Sequence, residues 1–132
     1  MADVNRGNRP LSPFMLGQYY RFQITSVTSI LHRISGVAMA GAGVLVVWWF
    51  LAAAIGPGYF ATADWVLTSW LGTLVLVGAL VALWYHFLNG IRHLRWDIGH
   101  GFGLASARKS GLVALVGSVA LTVATLVVVA LV

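Results

Sequence analysis

Three long stretches of the chain carry no charged residue, and they limit the possible folds more than any other feature. Residues 34–63, 65–91 and 110–132 contain no Asp, Glu, Lys or Arg. About 20 mainly apolar residues cross a hydrocarbon core roughly 30 Å thick, so each stretch is long enough for one crossing. A single span satisfies its own backbone hydrogen bonds only as a helix, even where valine is abundant. The pattern predicts an all-α membrane protein with three transmembrane helices.

The composition excludes most soluble classes of protein. Only 8% of the residues are charged and 60% are hydrophobic, whereas soluble domains average about 25% charged and 45–50% apolar residues. The chain has no cysteine, so it can form neither disulfides nor the thiolate ligands of an iron–sulfur cluster. Its basic residues flank the apolar stretches, which is typical of membrane proteins, and no nucleic-acid partner is expected.

The sequence divides into a polar arm and a membrane domain. We expect a polar N-terminal arm over residues 1–23 and a three-helix domain over 24–132. The helices are predicted at about 26–54, 65–94 and 110–132. A Gly-Pro-Gly sequence at 56–58 should end the first helix, because proline lacks a backbone donor and glycine permits a turn.

Basic residues also predict the orientation of the chain. They occur before and at the start of the first helix and between the second and third helices, whereas the connection between the first two helices has none. The positive-inside rule therefore places the N-terminus inside and the C-terminus outside. The arm begins with no apolar signal sequence and is poorer in serine than a mitochondrial presequence. These features favour a bacterial inner membrane over the mitochondrial inner membrane.

His86 is an ionisable residue inside the second apolar stretch. It lies six residues before Arg92, roughly 9 Å deeper at 1.5 Å per residue, and such groups are functional candidates by default. It shares a helix face with Gly90, His93 and Asp97. Gly90 would let a flat ligand or a neighbouring helix approach that face. Two interpretations stay open: an axial ligand of haem iron, with a second ligand from another chain, or a hydrogen bond between helices.

Other polar residues at the inner ends of the helices suggest partners for such a ligand. The basic residues after His86, which are Arg92, His93 and Arg95, could face haem propionates. Ser29 and Arg33 are four residues apart on the first helix. They could line a pocket for a quinone headgroup, where Ser29 donates a hydrogen bond and Arg33 stabilises developing negative charge. The alternative for Arg33 is simple extension of its side chain towards the membrane surface.

Three motifs together resemble a known family. Residues 86–99, HFLNGIRHLRWDIG, closely resemble the pattern H-x3-G-[aliphatic]-R-H-x2-[aromatic]-D-x-G. Residues 29–36, SILHRISG, are similar to its companion S-x2-H-R-x-[ST]-G, and residues 9–13 form an RPLSP arm. All three are typical, in this order, of the cytochrome b-type membrane anchor of succinate dehydrogenase, respiratory complex II.

The resemblance implies site residues, a cofactor and partners. His86 would be the axial ligand of a haem b shared with a smaller sister anchor subunit, which supplies the other axial histidine and completes the helix bundle. Ser29 and Arg33 would line the ubiquinone site, and His32, Arg33 and His93 would contact the haem edge or propionates. Asp97 would lie on a proton path or pair with an arginine. The flavoprotein and iron–sulfur subunits would be anchored by this chain, which would not itself act on succinate.

Three alternatives accompany this interpretation. A fumarate reductase anchor would run the reaction in the opposite direction, which the sequence does not distinguish. A haem-free structural anchor would keep the fold and partners but make His86 dispensable. A small transporter is disfavoured because the acidic residues do not lie at mid-membrane.

Overall fold

The computed structural model describes residues 22–132, and this part of the chain consists of four helices joined by short segments. Helix α1 runs over Ile24–Ile55, α2 over Pro57–Thr68, α3 over Trp70–Asp97 and α4 over Leu104–Leu131. The RPLSP motif and most of the arm expected over residues 1–23 lie outside the described residues. Within residues 22–132 there is no strand, as the prediction of an all-α fold requires.

Three of the four helices are long and apolar enough to cross a membrane. Helix α1 has 32 residues, and α3 and α4 have 28 each, which corresponds to roughly 48 and 42 Å at 1.5 Å per residue. These lengths exceed the hydrocarbon thickness of roughly 30 Å. Exposed apolar side chains, mainly valine and leucine, lie along all three of these helices, as lipid contact demands. The prediction of three apolar spanning helices is confirmed.

Helix α2 was not predicted. The sequence suggested a loop after residue 54 and a helix from residue 65, but residues 57–68 form a separate helix that packs against α1 and α3. Gly56 has a φ of 146°, which turns the chain out of α1. Pro57 then occupies the first turn of α2, where its fixed φ favours a helix and its missing N–H costs nothing.

A sharp break at Ser69 separates α2 from α3, so α3 begins at Trp70 rather than at Trp65. The Ser69 hydroxyl caps α3 by accepting a hydrogen bond from the Gly72 N–H at 3.1 Å. A Cβ atom at Gly72 would lie 2.5 Å from the carbonyl oxygen of Leu67. Glycine is required there because the two helices meet backbone to backbone.

Helix α4 begins six residues earlier than predicted, and only residues 98–103 connect it to α3. Gly99 and Gly101 have positive φ values of 85° and 86°, so the connection is a tight turn. The Trp96 indole donates to the Gly101 carbonyl at 3.2 Å and holds this turn against α3. The connection between the two helices, expected from residue 94 to residue 110, is therefore shorter than predicted.

Small residues pack α4 against its neighbours. A row at spacings of three or four residues is buried, namely Ala107, Gly111, Ala114, Ser118 and Thr122. Such a row lets helix backbones approach closely in a membrane. Further along the pair, the Trp84 indole donates to the Thr125 hydroxyl at 3.0 Å.

Because α1, α3 and α4 alternate in direction, three helix ends meet. The start of α1, the end of α3 and the start of α4 meet at one end of the bundle, which we call the junction end. The exposed cations Arg33, Arg95, Arg108 and Lys109 belong to these same helix ends. The exposed basic side chains are therefore concentrated at one end of the bundle, as predicted from the sequence. Which side of the membrane this end faces stays a prediction.

Candidate functional site

A buried arginine ties the three spanning helices together at the junction end. Arg92 on α3 is only 4% exposed. Its guanidinium donates to the Thr28 hydroxyl on α1 at 3.0 Å and to the Ser110 hydroxyl on α4 at 3.1 Å. It also donates to the Ala107 carbonyl at 3.3 Å, and its Cζ lies 4.1 Å from the centre of the Trp96 ring. We call this set of contacts the arginine junction.

Asn89 connects the arginine junction to the histidines. Its side chain is fully buried, and its Oδ1 accepts from Arg92 at 3.0 Å. Because that oxygen faces a donor, the amide NH2 is the group 3.3 Å from Nε2 of His93. His93 therefore accepts through Nε2, and a neutral His93 carries its proton on Nδ1.

Three imidazole rings from two helices form a stack beside this junction. The rings of His32 on α1 and His86 on α3 are stacked, with centroids 3.9 Å apart and planes 17° apart. The His93 ring is tilted against His32 at 4.8 Å. The sequence predicted that His86 and His93 share a helix face, and both meet His32 of the neighbouring helix.

The hydrogen bonds of His86 define which nitrogen is free. Its Nδ1 lies 3.1 Å from the His32 carbonyl and 3.1 Å from the Ser35 hydroxyl. A carbonyl only accepts, so Nδ1 carries the proton. The Ser35 hydroxyl donates to that same carbonyl at 2.8 Å, which leaves its oxygen lone pairs facing Nδ1. The unprotonated Nε2 has no hydrogen-bond partner among residues 22–132 and is the nitrogen able to bind a metal ion.

Gly36 contacts the His86 ring, whereas Gly90 leaves open space one turn further along α3. A Cβ atom at Gly36 would lie 3.1 Å from Cε1 of His86, so the α1 backbone seats the ring. At Gly90, one turn after His86, no atom of residues 22–132 lies within 4 Å of the position of the missing Cβ. The open face predicted at Gly90 is therefore present, and a planar group could approach there.

His32 has a polar atom without a partner. Its Nδ1 is buried and forms no hydrogen bond within the described part of the chain. Such an atom costs free energy unless another group satisfies it. The three histidines stack rather than converge, and residues 22–132 contain no group of three His, Asp or Glu side chains arranged to hold a metal ion. A metal here would need ligands from elsewhere.

The remaining candidate residues lie at the junction end but outside this cluster. Ser29 is half-buried and Arg33 is exposed. Arg33 borders a shallow apolar groove with Ile34, Val37 and Ala38. Asp97 is the exposed last residue of α3. The structure does not join Ser29, Arg33 or Asp97 to one another by hydrogen bonds or ion pairs within residues 22–132, so the expected pairing of Asp97 with an arginine is not formed there.

One sequence expectation was wrong and several residues were missed. Arg92 does not face outwards as a partner for an anionic ligand, because its guanidinium is buried in hydrogen bonds to its own chain. Ser35, Asn89 and Thr28 were not singled out, although each touches the histidines or Arg92. A polar residue one turn from a charged one, such as Asn89 before Arg92, is a signal that could have identified this network.

The bundle and its polar junction define a multi-pass α-helical membrane protein with a histidine cluster between two of its spans. Residues 5–125 match the family model of the succinate dehydrogenase/fumarate reductase transmembrane subunit. The chain belongs to this family, and the resemblance inferred from the three sequence motifs is confirmed.

Individual relatives agree with the family model. The chain is 52% identical over 128 residues to the succinate dehydrogenase cytochrome b556 subunit of Paracoccus denitrificans, with 97% of each chain covered. It is 40% identical over 115 residues to the subunit of the same name from Rickettsia conorii, covering 87% of this chain and 88% of that one. It is also 40% identical over 114 residues to the mitochondrial cytochrome b560 subunit of Sus scrofa, covering 83% and 64%.

Proposed function

We propose that this chain is the haem b anchor subunit of a succinate:ubiquinone oxidoreductase and carries electrons towards ubiquinone. The observation that carries the proposal is the fixed tautomer of His86. Its Nδ1 proton is held by the His32 carbonyl and the Ser35 hydroxyl, which leaves Nε2 for iron. Hydrogen bonding of this kind orients a ligating imidazole and raises its basicity. The names of the relatives, cytochromes b556 and b560, support the same cofactor.

The residues around His86 suit an axial imidazole of haem b. Bound haem supplies a group that accepts and donates one electron at a time. Gly36 and the ring of His32 fix the plane of the His86 imidazole, and the open face at Gly90 leaves room for a flat group. The second axial histidine would come from a sister anchor subunit whose helices complete the bundle.

The basic side chains near the stack suit the haem edge. Propionates are anionic and accept hydrogen bonds, so they require donors at the rim of a haem site. The buried Nδ1 of His32 has no partner among residues 22–132 and could be satisfied there. We assign His32, Arg33 and His93 to the haem edge or propionates. Arg92 is not assigned to it.

Ser29 and Arg33 are proposed to bind the quinone headgroup. They are one turn apart on α1, and the apolar groove beside Arg33 suits an isoprenoid tail entering from lipid. Ser29 would donate a hydrogen bond to a quinone carbonyl, and Arg33 would stabilise the negative charge that develops as electrons arrive. Two electrons and two protons convert the quinone to quinol, and Asp97 is proposed to relay protons from the membrane surface.

The electrons must come from other subunits. This chain has no cysteine and so no thiolate to hold an iron–sulfur cluster. We therefore propose that an iron–sulfur subunit delivers the electrons and that a flavoprotein subunit oxidises succinate to fumarate. Both would dock at the junction end, which by the positive-inside rule faces the inside of the cell. The bacterial relatives favour a bacterial inner membrane.

Two alternatives differ in what they predict. A fumarate reductase anchor would share the family model, which covers both enzymes, although the relatives described above are all named for succinate dehydrogenase. A haem-free anchor would keep the fold and leave His86 as a packing residue. A reduced-minus-oxidised visible spectrum of the purified complex tests the haem-free alternative, because a b-type band is expected only with haem. The relative rates of succinate oxidation and fumarate reduction test the other.

Changing Ser29 to alanine or Arg33 to leucine is expected to slow quinone reduction selectively. A hydrogen bond from a charged group is worth about 1.5–3 kcal/mol, so Arg33→Leu should lower the rate by about tenfold or more. Ser29→Ala removes one neutral donor and should have a smaller effect. The measurement compares ubiquinone reduction with succinate oxidation by a soluble artificial acceptor in the same preparation.

Thr73→Ala provides the control, because Thr73 is exposed near the other end of α3 and should leave both activities unchanged. Equal loss of ubiquinone and artificial-acceptor activity in the Ser29 and Arg33 variants would indicate failed assembly. Unchanged quinone reduction in both variants would contradict the proposed quinone site.

Changing Gly36 to valine is expected to lower the haem content of the complex. A Cβ atom at this position would already lie 3.1 Å from His86 Cε1, and the two methyl groups of valine would displace the ring. Overpacking of this kind costs about 1–3 kcal/mol. The displaced ring would also lose its hydrogen bonds to Ser35 and the His32 carbonyl. The ratio of haem to flavin in the purified complex measures the effect.

Gly41→Val is the matched control on the same helix, because no atom of the described part of the chain lies within 4 Å of the missing Gly41 Cβ. It should retain the haem-to-flavin ratio of the unmodified complex. A Gly36→Val complex with full haem content would show that the backbone at Gly36 does not determine the position of the His86 ring.

A further inference from the structure

A cleft lies between α3 and α4 beside the arginine junction, and no residue of α1 lines it. Its volume is about 920 Å³, and residues from the end of α3 and the start of α4 line it. This volume is within the range of about 300–1,000 Å³ that is usual for small-molecule sites. Neither the histidine stack nor Ser29 and Arg33 contribute to its lining, so the proposed haem and quinone sites do not explain it.

One end of the cleft is lined by basic side chains and the rest by apolar ones. Arg95, Arg108 and Lys109 contribute three exposed cations, and neither of the acidic residues within 22–132 lines the cleft. Ser106 is a further hydrogen-bonding side chain at this end. The cleft therefore offers a strongly positive, hydrogen-bonding rim to an anion.

Apolar side chains continue the cleft along the helices. Leu88 and Ile91 line it on α3, and Leu112 and Val113 line it on α4. Leu88 lies seven residues before Arg95, roughly 10 Å deeper along the bundle at 1.5 Å per residue. These residues belong to the membrane-spanning helices. An occupant of the whole cleft therefore needs an anionic end at the membrane surface and an apolar part inside the membrane.

We propose that this cleft binds one anionic phospholipid, with its phosphate at Arg95, Arg108 and Lys109 and an acyl chain along Leu88, Ile91, Leu112 and Val113. Basic pockets between transmembrane helices are suited to lipid headgroups. An acidic protein surface would match the three cations but not the apolar wall inside the membrane. A free phosphate ion would leave that wall empty.

The arginine junction holds the helices that form one wall of this cleft. Arg92 reaches the cleft, but its guanidinium is held by Thr28, Asn89 and Ser110. Arg92 thereby fixes α4 against α3, while the phosphate would be bound by the exposed cations. The lipid would stabilise the α3–α4 pair at the end where only residues 98–103 connect the helices.

The test uses the whole purified complex reconstituted in nanodiscs that contain phosphatidylglycerol or only phosphatidylcholine. Native mass spectrometry counts the lipids that stay bound to the complex after release from the disc. Each cation near a membrane surface strengthens binding of an anionic lipid by roughly fivefold. The triple variant R95Q/R108Q/K109Q is therefore expected to bind phosphatidylglycerol on the order of a hundredfold more weakly. Retention of phosphatidylcholine should not change.

Two further variants separate the charge from the apolar wall. R95K/R108K keeps the positive charge and is expected to retain the lipid. V113W fills the apolar part of the cleft from an exposed position, 68% accessible, and should displace an acyl chain without disturbing the bundle. It is expected to weaken phosphatidylglycerol binding about tenfold, and it also tests the proposal if the triple variant does not assemble.

Several results would overturn the proposal. Equal retention of phosphatidylglycerol by the unmodified complex and by both R95Q/R108Q/K109Q and V113W would exclude a lipid site here. Displacement of the bound species by millimolar inorganic phosphate, with no effect of V113W, would indicate a simple anion site. Release of the water-soluble subunits from R95Q/R108Q/K109Q, with lipid binding unchanged, would assign the cations to a protein interface.

Discussion

Replacing His86 by alanine is expected to remove the b-type haem signal from the assembled complex. The variant loses the imidazole between α1 and α3 whose Nδ1 is bound to the His32 carbonyl and the Ser35 hydroxyl and whose Nε2 is therefore free for iron. Changes to residues that merely orient a ligand typically cost 10–100-fold in metal affinity, so loss of the ligand itself should reduce haem content at least tenfold. A reduced-minus-oxidised spectrum, normalised to flavin, measures this.

His100→Ala is the matched control for this experiment. His100 is exposed in the α3–α4 connection, and within residues 22–132 its ring bonds only to the Ile98 carbonyl of the same turn. Its replacement should leave the haem band unchanged. An unaltered band in the His86→Ala complex would refute axial ligation by this residue and leave His86 as a packing residue between α1 and α3. Succinate oxidation by a soluble acceptor shows whether the complex has assembled.

The second large effect is expected from replacing Arg92 by leucine. Four hydrogen bonds join its guanidinium to groups on all three spanning helices. Hydrogen bonds between membrane helices average about 0.6 kcal/mol each. The fully buried Thr28 and Asn89 would each also lose a donor, at about 1–3 kcal/mol per unsatisfied group. The total destabilisation should exceed about 2 kcal/mol.

Arg92→Leu is expected to have the opposite effect on insertion of the helix into the membrane, which precedes helix packing. An arginine within a spanning helix costs about 2.5–3.5 kcal/mol during insertion, so Arg92→Leu should insert at least as well as the unmodified chain. The defect is therefore expected in helix packing, as a lower melting temperature and a lower yield of assembled complex. His100→Ala is also the stability control, because His100 is exposed and its ring bonds only to the Ile98 carbonyl within residues 22–132.

A double-mutant cycle with Thr28→Val tests whether the arginine junction acts as a unit. Thr28→Val removes one acceptor of Arg92, so the destabilisations of the two single variants should not add. Additive losses, or a melting temperature unchanged by Arg92→Leu, would show that the junction does not stabilise the bundle. Arg92→Lys should be intermediate, because an ammonium keeps the charge but lacks the planar set of donors.

The spans were predictable because they depend on local composition. Long uncharged stretches fix the number of crossings whatever their partners, and Gly56 and Pro57 mark the end of α1 directly. The helix α2 and the early start of α4 were missed for a common reason. Glycines near 56–58 and 99–103 suggest loops, but only Gly56, Gly99 and Gly101 take positive φ values, and helix resumes immediately beyond them.

The candidate site was predictable only in part because its geometry comes from contacts between helices. The face shared by His86 and His93 follows from helical spacing, and the open space at Gly90 agrees with it. The stacking of His86 on His32 depends on how α1 packs against α3. The spacing of residues along one helix does not determine that packing. For the same reason Arg92 was expected to face an anionic ligand, whereas its partners Thr28 and Ser110 lie 64 and 18 residues away in the sequence.

The order of these partners along the chain also has a consequence for biosynthesis. Thr28 is made first, Arg92 later, and Ser110 and Ala107 later still, at the start of the last span. The guanidinium therefore reaches the membrane before half of its hydrogen-bond acceptors are inserted there. Until α4 is inserted, the end of α3 carries an incompletely satisfied charge in lipid, which is costly. The arginine junction is therefore complete only after the last helix has been inserted, and a truncated chain lacking α4 would leave Arg92 without its bonds to Ser110 and Ala107.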